Sequence, residues 1–440
     1  MFRLLVSILI SLSSMGNQAK AADPAPELAK INHIIVIYLE NHSFDNLYGL
    51  FPGANGLAQS KDSPLQVDME GNPYAVLPAA KDARFSVDLH NRPFQIEKYV
   101  SASEKTGDLI HRFYQNQEQI DGGRNDRFAA ISDAASLVMG YYDGSRLPLW
   151  QYAKKYSLAD NFYQGAFGGS FLNHFWLVCA CTPQFPDAPE DLQARLDAHG
   201  KLIRDGEVTP DGYAVNTLQP ATHPYKFGTV SANRLPLQLA PTIGDKLSEK
   251  GIGWVWYAGG WNDAASGHPG KTFQYHHQPF SYFRNFAAGS PGRLQHLKDE
   301  VDFIGAIDNG KLPSVAFYKP PGELNEHPGY ADILSGDQHA SDIIRHIENS
   351  SIWKDSVIIV TYDENGGFWD HTAPPVKDRW GPGLRVPTII ISPFAKRGFV
   401  DHTEYDTTSI LKFIETRFGL EPLGSRDAGA SNLSNSLEFK

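Results

Sequence analysis

Two stretches of this chain carry an apolar run straight into acids. HIIVIYLE, residues 33–40, leads into NHSFDN, so Glu40 and Asn41 stand side by side; SVIIVTYDE, residues 356–364, leads into NGG, so Asp363 and Glu364 do the same. Three carboxylates gathered in one place repel unless a cation sits among them or some stay protonated. Carboxylate and amide oxygens suit a hard or borderline divalent ion such as Mg²⁺, Ca²⁺ or Mn²⁺. Turn and capping chemistry at Asn41, Asp45 and Asn365 is the competing use, and spacing alone does not separate the two.

The next candidate is GAFGGSFLNHFW, residues 165–176, where Gly168 and Gly169 precede Ser170 at the start of an apolar run. A serine there is either a plain N-cap or a nucleophile at a helix N-terminus, where backbone N–H groups favour an anion. No glycine returns after Phe171-Leu172, so the G-x-S-x-G elbow of acyl hydrolases is absent and the chemistry points to phosphate. Sixteen histidines are present, several in polar loops: His90, the His276-His277 pair, His327 and His371. As imidazolium they would supply positive charge for an anionic substrate at acid pH. Neither H-E-x-x-H nor a P-loop occurs.

These residues need a scaffold that brings positions 40 and 364 together. Short β-branched runs alternate with helical patterns at 147–157, 170–180, 242–251, 299–310 and 407–419. Strands apolar on both faces alternating with helices predict an α/β fold, a mainly parallel sheet covered by helices on both faces. Its strand ends would open on one edge. Pro/Gly-rich residues 52–80 and about 182–240 read as insertions over that carboxyl edge, the second with a hairpin near 201–217. The expected organisation is a signal peptide over 1–21, one domain over 22–425 and a loose tail over 426–440.

The opening MFRLLVSILISLSSMGNQAKA carries Arg3, an apolar run too short to span a bilayer and an Ala-Lys-Ala cleavage pattern. The expected location is therefore the periplasm or the medium. Removing residues 1–21 takes away Arg3 and Lys20 and no acid, so the net charge of −11 becomes −11 − 2 = −13. That balance argues against nucleic acid as a partner and against strong adsorption to anionic lipid, and no stable membrane insertion is expected. Cys179 and Cys181 are the only cysteines. On a continuing helix they would point about 200° apart, so two reduced, largely buried thiols are expected. Oligomeric state has no signature in the sequence.

ENHSFDNLYGLFPGANG, GGSFLNH, YHHQPFSYF and TYDENGGFWDHTAPP, in this order, resemble the bacterial acid phosphatase and phospholipase C family of secreted phosphoesterases, over about residues 33–420. The resemblance implies an alkaline-phosphatase-like fold. It also implies Ser170 as phosphoryl-accepting nucleophile, with one divalent ion (Ca²⁺, Mg²⁺, Mn²⁺ or Zn²⁺) held by Glu40, Asn41, Ser170, Asp363 and Glu364. His90, His276, His277 and His327 would hold phosphate oxygens or protonate the leaving group, with Asn41 also near the substrate. DLIHRFYQNQEQIDGGRNDRF, residues 108–128, matches a family stretch to which no chemistry is assigned. Some phospholipase members carry threonine where Ser170 stands, so serine leans towards a phosphatase acting on small phosphate monoesters. The alternatives are a phospholipase C-type phosphodiesterase, with 254–263 and 281–286 as an apolar rim, and a non-catalytic phosphate- or metal-binding protein.

Overall fold

The computed structural model describes residues 26–440; the leader expected over 1–21 lies outside them. The strands of the central sheet are β1 (His33–Leu39), β2 (Ser157–Ala159), β3 (Trp254–Ala258), β4 (Leu297–Lys298), β5 (Val315–Lys319), β6 (Ser356–Tyr362), β7 (Thr388–Ile391) and β8 (Phe399–Asp401). They lie in the order β4-β3-β5-β1-β6-β7-β2-β8. All run parallel except β7, which is antiparallel to both of its neighbours. The reason is local. A parallel strand needs a crossover, and after β6 the chain runs along the carboxyl edge through 363–387 with no helix to carry it back. It therefore enters β7 from the opposite end.

The two central strands, β1 and β6, are almost wholly buried, as their unbroken apolar runs require. Successive side chains point to opposite faces. Tyr38 reaches Asn173 on helix α2 (Ser170–Cys179), while Tyr362, which pairs with Leu39, bonds Glu326 on the other side. Helix α4 (Thr407–Phe418) packs with α2, and α3 (Ile333–Glu348) packs with α1 (Pro148–Lys155), which gives each face a layer.

Three expectations need correction. Cys179 and Cys181 form a disulfide. Helix α2 stops at Cys179, and Ala180, with φ of 47°, turns the chain back, so the helical spacing that held the sulfurs apart does not apply. Residues 426–440 are not loose. Leu433 and Leu437 are buried, Ser436 bonds Asp401, and Arg426 bonds Asp378, Asp406 and the Gly165 carbonyl. Of the insertions, 182–240 pairs Arg195–Leu196 with Leu202–Arg204, so its hairpin begins earlier than expected. That segment also reaches the carboxyl edge, through Val215, Asn216 and Thr217.

Candidate active site

Register places the acids. Leu39 pairs with Tyr362 in parallel strands, so Glu40-Asn41 and Asp363-Glu364 leave the sheet side by side. The Asp363 amide bonds the Leu39 carbonyl at 3.1 Å, and Asn41 N–H donates to Asp363 Oδ1 at 3.2 Å. Asn41 takes φ of 65°, a conformation Asn tolerates better than most residues. Gly366 makes the other turn possible: its φ is +61°, and an added Cβ would fall 2.2 Å from the Asn41 carbonyl oxygen.

Ser170 reaches the same point from α2. The N-cap is Gly169, not Ser170, so the hydroxyl is free of capping work. It donates towards Glu40 Oε2 and Asn41 Oδ1, each at 3.3 Å. Gly168 sets the approach with φ of +84°; an added Cβ would meet Phe113 N at 2.6 Å. The helix behind Ser170 is entirely buried and apolar except at Asn173 and His174, which fixes its direction.

Histidines close the ring. His277 Nε2 lies 2.8 Å from Glu40 Oε1, and His327 Nε2 lies 3.9 Å from Glu40 Oε2. His276 lines the cavity in front of Ser170, a space of about 350 Å³ that also touches Asp108, His111, Arg112 and Tyr330. His90 is not part of it. Its side chain is exposed and its backbone bridges Val76, and the imidazole at its place is His111, 3.7 Å from Glu364 Oε1 and 3.4 Å from Asn41 Nδ2. The expected roles of His90 in catalysis and substrate binding are therefore withdrawn. DLH and DLIH look alike locally, and only the course of the chain separates them.

Two further residues went unread in the sequence. His174, one helical turn after Ser170, is fully buried and stacks on His277 with ring centroids 5.3 Å apart. Lys319, the last residue of β5, is fully buried against Glu40 Oε1. The i to i+4 spacing of Ser170 and His174, and a lysine ending a buried strand, were the available signals.

Hydrogen bonding fixes which imidazole nitrogens face inward. The Nδ1 atoms of His111, His174 and His327 lie 2.5 to 2.7 Å from the carbonyls of Leu109, Ser170 and Pro328. A carbonyl only accepts, so each Nδ1 carries the proton and each neutral ring offers its Nε2 lone pair. Asp363 Oδ2, Glu364 Oε1 and His174 Nε2 are buried without a hydrogen-bond partner. Such atoms are costly to leave unpaired. A cation among them would relieve that cost, so the residues present fit a divalent ion.

The electrostatics agree. Burial, then the Glu40 charge, pushes Asp363 up to about 8, and burial and Asp363 raise Glu364. Burial also opposes ionisation of Glu40, but His277, Lys319 and His327 outweigh it and hold this carboxyl well below its usual range. Burial lowers His174, His276 and His327, and takes His277 down to about 4. The expected imidazolium charge is thus disfavoured before substrate binds, and the cation buried against Glu40 is Lys319, with Arg112 on the cavity wall. A separate acid–histidine group, Asp45, Asp370 and His371, is balanced by Arg385, which bonds both acids.

The model of the Phosphoesterase family matches residues 31–421. The chain belongs to the Phosphoesterase family. Phospholipase C B of Mycobacterium tuberculosis is 25% identical over 96% of this chain and 80% of its own length. The non-hemolytic phospholipase C of Pseudomonas aeruginosa is 24% identical over 98% of this chain and 61% of its own length. A solved Vibrio parahaemolyticus protein of the alkaline phosphatase superfamily covers 87% of this chain and 78% of its own at 11% identity, with a TM-score of 0.36. Among the described residues of this family member, no helix is long and apolar enough to cross a membrane.

Proposed function

We propose that this phosphoesterase hydrolyses phosphate monoesters through Ser170, with one divalent ion held by Glu40, Asn41, Asp363, Glu364 and Ser170. The observation that carries the reading is the Ser170 hydroxyl, 3.3 Å from both Glu40 and Asn41 and beside unpartnered buried carboxylate oxygens. A bound divalent ion would supply Lewis-acid polarisation and favour the serine alkoxide.

The chain's own groups do the rest. Glu40 Oε2 and Asn41 Oδ1 accept the hydroxyl hydrogen bond on the buried side, so the lone pairs of Ser170 Oγ point into the cavity, and the proton leaves through Glu40 Oε2 as the oxygen attacks. In-line attack on phosphorus forms a phosphoseryl group at the N-terminus of α2, whose N–H groups favour the spreading charge. His276, His327 and His111 line the cavity opposite. There, once each takes up a proton at Nε2 as the anionic substrate binds, they hold phosphate oxygens and pass that proton to the leaving oxygen. Water then attacks from the vacated side and releases phosphate.

A dianionic substrate raises the pKa of the imidazoles it touches. The pH limb of kcat, which reports the complex, then lies above that of kcat/KM, which reports the free enzyme. Coincident limbs at alkaline pH would remove the acid-phosphatase character from the proposal.

The relatives' names favour a second reading, phosphodiester cleavage of the phospholipase C type. Against it, the aromatic stretches that looked like a lipid-facing rim are core: Trp254, Trp256, Phe283 and Phe286 are all buried. The deciding experiment compares initial rates on a chromogenic phosphomonoester and its matching diester, each with and without chelator. Faster, chelator-sensitive monoester turnover supports the first reading, and a diester preference supports the second. Export to the periplasm or medium is proposed with either, on the leader-like residues 1–21.

A further inference from the structure

The chain is acidic overall, yet its acids are unevenly spread. Residues 212–244 and 264–298 contain no Asp or Glu, while they carry Lys226, Arg234, Lys271, Arg284, Arg293 and Lys298. The two segments pack together. Arg293 donates to the His223 carbonyl, the Ala288 amide to Thr222 Oγ1 at 3.1 Å, and the Arg284 amide to the Gln238 carbonyl at 3.0 Å. Asp211, Asp245, Asp263 and Asp299 bound the two segments, Asp245 accepting from Asn285, and Glu323 reaches in to accept from Thr272. Both segments also reach the active-site cavity, one through Asn216 and Thr217 and the other through Gln274 and His276. One side of the mouth is thus a cationic shoulder on an acidic protein.

That shoulder also carries apolar side chains in water. Phe227 is 100% exposed, in the loop between the short paired strands Gln219–Pro220 and Arg234–Leu235. Val230, Leu239 and Leu294 are each about two-thirds exposed on the same two segments. Single exposed apolar residues are ordinary; a bare aromatic tip beside Lys226 within an acid-free region is a different case. Basic residues alone would suit any polyanion. Basic residues with protruding aromatic and aliphatic tips suit the boundary between anionic headgroups and acyl chains.

We propose that this shoulder docks the enzyme peripherally on an anionic phospholipid surface, with Phe227 entering the headgroup boundary and the active-site mouth beside it. The inference goes beyond the reading of the site and does not depend on which ester is cleaved. It also qualifies the expectation drawn from net charge, because attraction acts over about a Debye length and so depends on the local face.

The test is flotation of the full mature protein with phosphatidylcholine vesicles, with and without phosphatidylserine, while turnover of a soluble chromogenic phosphomonoester is followed in parallel. The native chain is expected to bind vesicles containing phosphatidylserine, and to do so less at high salt. Phe227→Ser with Lys226→Glu is expected to weaken that binding by roughly tenfold or more and to leave soluble turnover unchanged. No binding by the native chain overturns the proposal, as does undiminished binding by the double variant. Loss with Lys226→Glu but none with Phe227→Ser also overturns it and marks a site for a soluble polyanion.

Discussion

Lys319→Met removes the buried cation and keeps most of its volume. In the native protein Lys319 and His277 both sit against Glu40 Oε1, which leaves Oε2 for Ser170. All three residues are buried. Taking one partner from a buried charge pair costs about 3–5 kcal/mol. His277 remains 2.8 Å from the carboxylate, so the expected loss of stability is at the low end, about 3 kcal/mol. With Oε1 held by His277 alone, Glu40 shifts relative to Ser170, and misplacement on this scale lowers turnover by about 100-fold. Affinity for Mn²⁺ is expected to fall, because Glu40 is one of the proposed ligands and no longer holds its place. Chemical denaturation in chelator, calorimetric Mn²⁺ titration and turnover separate these effects. A variant with native stability in chelator and native turnover would refute the role given to Lys319.

Other perturbations test other parts of the account. Asp363→Asn removes one of three crowded carboxylates, so the chelated protein is expected to gain roughly 1 kcal/mol while Mn²⁺ affinity drops; a loss on both counts would contradict the like-charge argument. Gly168→Ala places a Cβ 2.6 Å from Phe113 N at φ of +84°, and is expected to cost about 1–3 kcal/mol and to lower turnover, read by denaturation and initial rates. Away from the site, burial lifts Asp337 to about 8. A folded-state pKa raised in this way means the folded protein holds the extra proton. The associated stability is present below the ordinary carboxylate range and is lost as pH rises towards 8. Asp337→Asn should flatten that part of the stability–pH curve, and an unchanged slope would assign it elsewhere.

What could be read in the sequence follows the range of the interactions involved. Buried parallel strands announce themselves by β-branched runs, so the ends of β1 and β6, and with them Glu40, Asn41, Asp363 and Glu364, were legible. Ser170 was legible because two glycines and an apolar helix are local features. His111 and Lys319 depend on where distant loops and strands come to rest. A one-residue register change would send Lys319 to the other face. The direction of β7 depended on a connection without a helix, and the disulfide on the single left-handed residue Ala180. The tail looked loose because its composition is polar, yet its anchors are a few buried contacts, Leu433, Ser436 and Leu437.

The central claim is that Ser170 becomes covalently phosphorylated during turnover. Rapid acid quench of the native protein with a phosphomonoester, followed by peptide mass analysis, tests it most directly. One phosphoryl group is expected on the peptide containing Ser170, and none with Ser170→Ala, which should retain the native fold and bind Mn²⁺ more weakly through the four remaining ligands but lose turnover. An unlabelled Ser170 under conditions of burst turnover, or a Ser170→Ala variant that still hydrolyses the ester at the native rate, would contradict it.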